Sequence, residues 1–217
     1  MNSAGVLAGA SSRAADDAAA NARYIAPGYR MNPGAAQGMA LWVFIAVLTS
    51  LFSLFLFAYV MRLSANDATA IALPWQLWLS SAVLLGASVQ LQRASALSRR
   101  GQPALGPLLA GGIGALVFIA IQGMAWQALQ AAQVSLTGNP AGSFFYLLTA
   151  LHGLHVVGGV VAWALVWRHA RRSTDAAAWR IALCARYWHF LMLLWAVLFT
   201  AFRLITPELA ATLCGTR

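Results

Sequence analysis

The sequence predicts an all-α membrane protein, a polytopic bundle of five transmembrane helices. Three observations carry this prediction. Hydrophobic residues make up 61% of the 217-residue chain and charged residues only 9%, whereas soluble domains carry about a quarter charged residues. The apolar residues fall into five runs, each long enough to cross the ~30 Å of hydrocarbon in a bilayer. The runs are continuous rather than alternating, and lipid offers no outside partner to a backbone polar group, so such runs are helices.

Taken in order, residues 1–37 come first. They are rich in Ala, Gly and Ser and lack the apolar core of a secretory signal. They are expected to form a mobile cytoplasmic tail, with a short helix around residues 14–24. The spans then follow at 38–63, 74–91, 106–129, 143–167 and 183–204, giving a transmembrane domain over 38–204. Residues 205–217 form a short tail on the far side.

The formal charge is +9, and every basic side chain other than histidine is arginine. These arginines flank the apolar runs instead of forming a stripe, which argues against a nucleic-acid partner. Arg13, Arg23 and Arg30 precede the first span. Arg93, Arg99 and Arg100 follow the second. Arg168, Arg171, Arg172 and Arg180 lie in the fourth connection, with Arg186 at the start of the fifth span. The other side has only Arg62, Arg203 and Arg217. The positive-inside rule therefore puts the N-terminus in the cytoplasm and the C-terminus outside. Trp42, Trp75, Trp78, Trp126, Trp167 and Trp179 lie near span ends, as an interfacial belt requires. The two cysteines, Cys184 and Cys214, form no CxxC pair, and are expected to be inert.

Polar groups inside a membrane are costly and are functional candidates by default. No acidic residue falls within a span; Asp16, Asp17, Asp67, Asp175 and Glu208 are all in tails or connections. That counts against a proton relay or cation pathway through the chain. His152 and His155 lie in the fourth span, where helical spacing groups Leu148, His152, His155, Gly159 and Trp163 on one face. Gly159 suits a close helix approach. His189 lies in the fifth span. By ~1.5 Å rise per residue it sits roughly 10 Å from the cytoplasmic edge and His155 roughly 18 Å. One metal needs all its ligands within about 2.1 Å, so these depths favour histidines hydrogen-bonded between helices over a cofactor site. Gln122, in the third span, and His152 lie at similar depth. A bond between them is open, and so is a separate partner for each.

The fourth span, SFFYLLTALHGLHVVGGVVAW, resembles the signature of haem-copper oxidase subunit III, whose pattern runs approximately FFxLTGxHGxHVxxG. The fifth, RYWHFLMLLWAVLF, with Trp188 and His189, is similar to that family's (Y)WHFVDxVW. In the first span Trp42, Phe44, Phe52, Tyr59 and Arg62 fall where the family has W-x-F-(L/I)-A-S-E and a terminal Y-x-x-R. In the third, QGMAW is similar to Q-x-x-E-(Y/W). Three family acids are replaced, by Leu48, Ala125 and Met192, and Ala150 stands for the glycine of TGxH.

This resemblance implies the short, five-helix bacterial form of the family. It implies a non-catalytic subunit of a respiratory oxidase in the inner membrane, with no active site, haem or metal of its own. Haem and copper are expected in the partner, catalytic subunit I. His152, His155, Gly159, His189, Gln122, Trp188, Arg62 and Tyr59 become candidates for helix packing, lipid contact or the subunit interface, and bound phospholipid is expected. The missing acids weigh against a proton-related role. Three other readings stand beside this one. An accessory subunit of a nitric oxide reductase would share these features. An independent haem b protein needs histidine pairs at matched depth. A small transporter usually shows internal repeats and broken helices, and the sequence shows no repeat.

Overall fold

The computed structural model describes residues 33–63, 73–132, 140–172, 178–205 and 209. They include five α-helices: α1 (Pro33–Leu63), α2 (Gln76–Arg99), α3 (Leu105–Ala131), α4 (Pro140–Ala170) and α5 (Ala178–Leu204). The expected helix at 14–24 and most of both tails lie outside the described residues. The chain divides into two units, Met1–Met39 and Ala40–Arg217. Of the first, only the opening turns of α1 are described; the second contains the bundle.

Every helix outgrows its predicted span. α1 and α4 begin on prolines, Pro33 and Pro140. Proline suits the first helical turn because its φ is preset and its missing N–H would have no partner there. The largest difference is in α2, which runs past Leu91 through QRASALSR to Arg99. Its apolar run ends at Leu91, but its buried face does not. Leu77, Ser80, Leu84, Ala87, Ser88, Leu91, Ala94 and Ser95 are all buried, at the three- and four-residue spacing of one helix face. The last two belong to the stretch that reads as polar. α2 then stops at a tight cap. Gly101 takes φ 68°, its N–H donates to Ser98 O at 3.1 Å, and that of Gln102 donates to Leu97 O at 3.0 Å. This is the Schellman arrangement, in which a left-handed residue satisfies the last carbonyls.

Among the described residues, α1, α3, α4 and α5 are long and apolar enough to cross a membrane. α2 falls short on composition, so the expected fifth span rests on topology. Side-chain contacts give the directions. Leu108 meets Trp163, Phe118 meets His152 and Trp126 meets Thr149, so α3 and α4 are antiparallel. Ser81 meets Trp195 and Trp78 meets Phe199, so α2 opposes α5. Phe44 meets Tyr187 and Tyr59 meets Phe202, so α1 and α5 run the same way. The helices therefore alternate in direction, and α2 must carry the chain from the end of α1 to the opposite end, where α3 begins. The arginines of the 2–3 and 4–5 connections lie at one end of this bundle, as the sequence suggests.

α2 packs most closely on α3 and then on α5. Small residues allow it: a Cβ at Gly111 would lie 2.6 Å from Leu91 Cγ, and one at Gly114 2.9 Å from Ala87 Cβ. Close approach of this kind is how helices gain van der Waals contact in lipid. α1 attaches differently. Leu48, Phe52, Tyr59 and Leu63 are buried, and Phe52 and Tyr59 pack with Leu148 of α4 and Leu194 and Leu198 of α5. Its other face, with Val47, Leu54 and Phe57, is exposed.

Candidate functional site

The two histidines of the fourth span point to different neighbours. The expected common face splits between them. His152 is 1% exposed. Its ring lies 5.2 Å from the Trp195 ring, tilted, and 5.9 Å from Phe118, edge-on. Neither of its nitrogens has a hydrogen-bond partner. Trp163, three turns on, follows it towards α3 and donates its indole N–H to Leu108 O at 2.7 Å. His155 instead faces α1, with ring centroids 5.7 Å from Phe52 and 6.3 Å from Phe44. At Gly159 a Cβ would come within 3.1 Å of Trp188 and 3.2 Å of Tyr187, so the backbone of α4 lies against buried aromatic rings of α5.

Histidines bonded between helices were the expectation, and the geometry corrects it. His155 Nδ1 bonds Leu151 O at 2.6 Å, and His189 Nδ1 bonds Ala185 O at 2.7 Å. Both bonds stay within one helix, and a carbonyl partner requires the proton on Nδ1. Among the described residues, three indoles donate bonds that cross between helices. Trp126 Nε1 donates to Thr149 Oγ1 at 3.2 Å and Trp195 Nε1 to Ser81 Oγ at 2.9 Å, beside the Trp163 bond above. Tyr187 adds one, its hydroxyl donating to His155 O at 3.1 Å. Sequence reasoning missed Trp195, Tyr187 and Thr149. The available signal was a tryptophan at mid-span, too deep for an interfacial belt and so in need of a partner for its N–H.

Gln122 and His152 do come together, though not through a bond. Both line a cavity of ≈ 360 Å³ between α3 and α4, with Trp126 and Thr149 at one end. Gln122 Oε1 and Nε2, like both His152 nitrogens, have no hydrogen-bond partner. Thr149 has its own, donating to Phe145 O at 2.7 Å. The four polar atoms are themselves buried, so the surface that the cavity presents is apolar.

The remaining candidates are spread out. Tyr59 is buried between Phe144 and Phe202, at 6.1 and 5.5 Å. Arg62 is exposed at the end of α1. Trp188 is fully buried. The three positions where the resemblance leads one to expect acids hold apolar side chains: Leu48 and Ala125 are buried in the core, and Met192 is partly buried against it. Among the described residues, no three His, Cys, Asp or Glu side chains gather as metal ligands would.

Because His152 makes no hydrogen bond, its loss leaves no partner stranded. His152→Leu is expected to change the stability of the isolated chain by less than about 1 kcal/mol. Denaturant titration in detergent, followed by circular dichroism, checks this; a larger loss would mean that His152 holds the bundle together.

The family model for cytochrome c oxidase subunit III matches residues 30–205. Among curated relatives, a probable cytochrome c oxidase subunit 3 from Mycobacterium bovis is 37% identical over 87 residues, 39% of this chain and 43% of the relative. One from Nocardia farcinica is 36% identical over 84 residues, 38% of this chain and 41% of the relative. The cytochrome c oxidase subunit 3 of Arabidopsis thaliana is 29% identical over 140 residues, 59% of this chain and 49% of the relative. The matched stretch spans about half the length of these relatives or less.

Proposed function

Since the chain belongs to the cytochrome c oxidase subunit III family, we propose that it serves as a non-catalytic, lipid-binding subunit of a bacterial respiratory haem-copper oxidase. The observation that carries this reading is the family match across residues 30–205, which takes in the whole helical bundle. In this role the chain packs on the catalytic subunit of the complex in the inner membrane. Haem and copper belong to that partner. The buried apolar residues at Leu48 and Ala125 favour a scaffold over a proton-uptake role. The exposed apolar face of α1, with Leu54 and Phe57, offers surface to lipid or to another subunit.

Affinity purification of the tagged full chain in mild detergent is expected to bring down a haem-containing oxidase subunit at equal stoichiometry. The haem bands should vanish when that subunit is removed. A nitric oxide reductase in its place would favour the accessory-subunit alternative. A haem band in the lone chain would overturn the non-catalytic reading.

The arginine asymmetry supports an N-terminus in the cytoplasm. Single cysteines at Ser135 and Ser173, in a background lacking Cys184 and Cys214, test this. An impermeant thiol reagent on intact cells is expected to label 135 and not 173; the reverse pattern would invert the topology.

A further inference from the structure

We propose that the cleft between α2 and α3, at the arginine-rich end of the bundle, binds the phosphate of an anionic phospholipid, gripped by Arg93 and Arg100. Gln90, Arg93, Leu97 and Arg100 follow the three- and four-residue spacing of one helix face, and all four line the cleft. They form one face because α2 continues as a helix beyond its apolar run, to Arg99. The opposite wall is the start of α3, with Gly106 and Pro107. A Cβ at Gly106 would meet nothing within 4 Å, so this wall leaves the space open. The cleft holds ≈ 520 Å³, within the ~300–1,000 Å³ of small-molecule sites. The cap at Gly101 joins the two walls tightly, with backbone bonds that return to Ser98 and Leu97.

Charge and depth identify the occupant. Arg93 and Arg100 are both exposed. Arg93 Nη1 donates to Gln90 Oε1 at 3.4 Å, which leaves most of its five N–H donors for a ligand. A planar guanidinium matches phosphate oxygens two at a time. α3 adds to the positive charge. It begins with no side-chain cap at Ala104, so the free N–H groups of its first turn carry the positive end of the helix dipole. Among the described residues there is no Asp or Glu. A zwitterionic headgroup would bring an ammonium group that finds no carboxylate here, whereas a net-negative one meets only complementary charge. By ~1.5 Å rise per residue, Arg93 stands about 3 Å past Leu91, where the apolar run of α2 ends, and Arg100 about 13 Å past it. A headgroup layer is roughly 5–8 Å thick, so the two positions bracket it. A soluble phosphate shares the chemistry but lacks the acyl chains that hold a lipid at this depth. The site deepens the lipid-binding role proposed above and rests on it.

The test is native mass spectrometry of the delipidated full chain in a neutral detergent, titrated with dioleoyl phosphatidylglycerol or dioleoyl phosphatidylcholine. The anionic lipid is expected to bind at least tenfold more tightly. The double variant Arg93→Gln with Arg100→Gln should lose that preference. Arg99→Gln removes the same charge from the same end of α2 at an exposed residue outside the cleft, and should leave the preference within twofold of the unmodified chain. Gly106→Leu keeps both arginines and crowds the cleft, so it should weaken binding of the anionic lipid as the double variant does. Millimolar inorganic phosphate should not displace the lipid. An equal loss in Arg99→Gln would reduce the effect to general surface charge and overturn the site. Full displacement by inorganic phosphate, or by an acidic peptide at equal concentration, would overturn it in favour of a soluble anion or a protein partner. Equal binding of the two lipids would overturn the anionic site and leave the lipid-binding role standing; failure to bind either lipid would count against that role itself.

Discussion

Trp195→Ala is expected to destabilise the bundle by about 3–5 kcal/mol, the range for emptying a buried tryptophan site. Trp195 is 2% exposed and touches three other helices. Its N–H donates to Ser81 of α2 at 2.9 Å. Its ring lies 5.6 Å from Phe118 of α3 and 5.2 Å from His152 of α4, and it stacks on Phe199 within its own helix. Lipid tails are as apolar as the protein interior, so the loss is mainly one of van der Waals contact. Trp195→Phe separates ring from bond. It keeps most of the contact and should cost only the interhelical bond, about 0.6 kcal/mol and at most ~1.7 kcal/mol. Denaturant titration of both variants in detergent decides the point. Equal losses would place the energy in the bond to Ser81 and refute the packing role.

Gly112→Val is expected to cost about 2–4 kcal/mol, combining overpacking with a lost interhelical bond. A Cβ at Gly112 would fall within the Trp163 indole, and the ring would have to leave. Its N–H would then lose Leu108 O, now 2.7 Å away. The two residues therefore form a lock between α3 and α4. The double variant Gly112→Val with Trp163→Ala should be less damaged than the sum of the two single changes, because residues in contact are not additive. Additive losses would mean that the two do not act through each other.

Helix number and order were legible because four long apolar runs leave little choice in lipid, and the alternation of direction requires a fifth crossing between the first and third helices. The ends were less so. The sequence reading began the first and fourth spans at 38 and 143, behind the prolines that open those helices, and the extension of α2 to Arg99 depends on Ala94 and Ser95 being covered by neighbours. The candidate site was half legible. Depth along a helix follows from counting residues, and it set Gln122 level with His152. Which way each side chain turns depends on who the neighbours are, and a sequence does not state that. His152 turns to Phe118 and Trp195 while His155, one turn on, turns to Phe44 and Phe52. Interhelical bonding was assigned to histidines because they are rare and polar. Among the described residues three indoles make such bonds, and an indole conceals a single donor within an apolar ring.

The cap at Gly101 bears on how the chain is made. A ribosome delivers α1 before α4 and α5, the helices it leans on. α1 has to rest alone in the bilayer in the meantime, and a face of Leu, Val and Phe suits it to that wait. α2 is the opposite case, too rich in serine and glutamine to be at ease in lipid on its own. Its nearest packing partner is the next helix synthesised, joined through a tight glycine turn. α2 and α3 are therefore expected to enter the membrane as a hairpin. A change that loosened this turn would act during insertion, before any finished bundle existed to be destabilised.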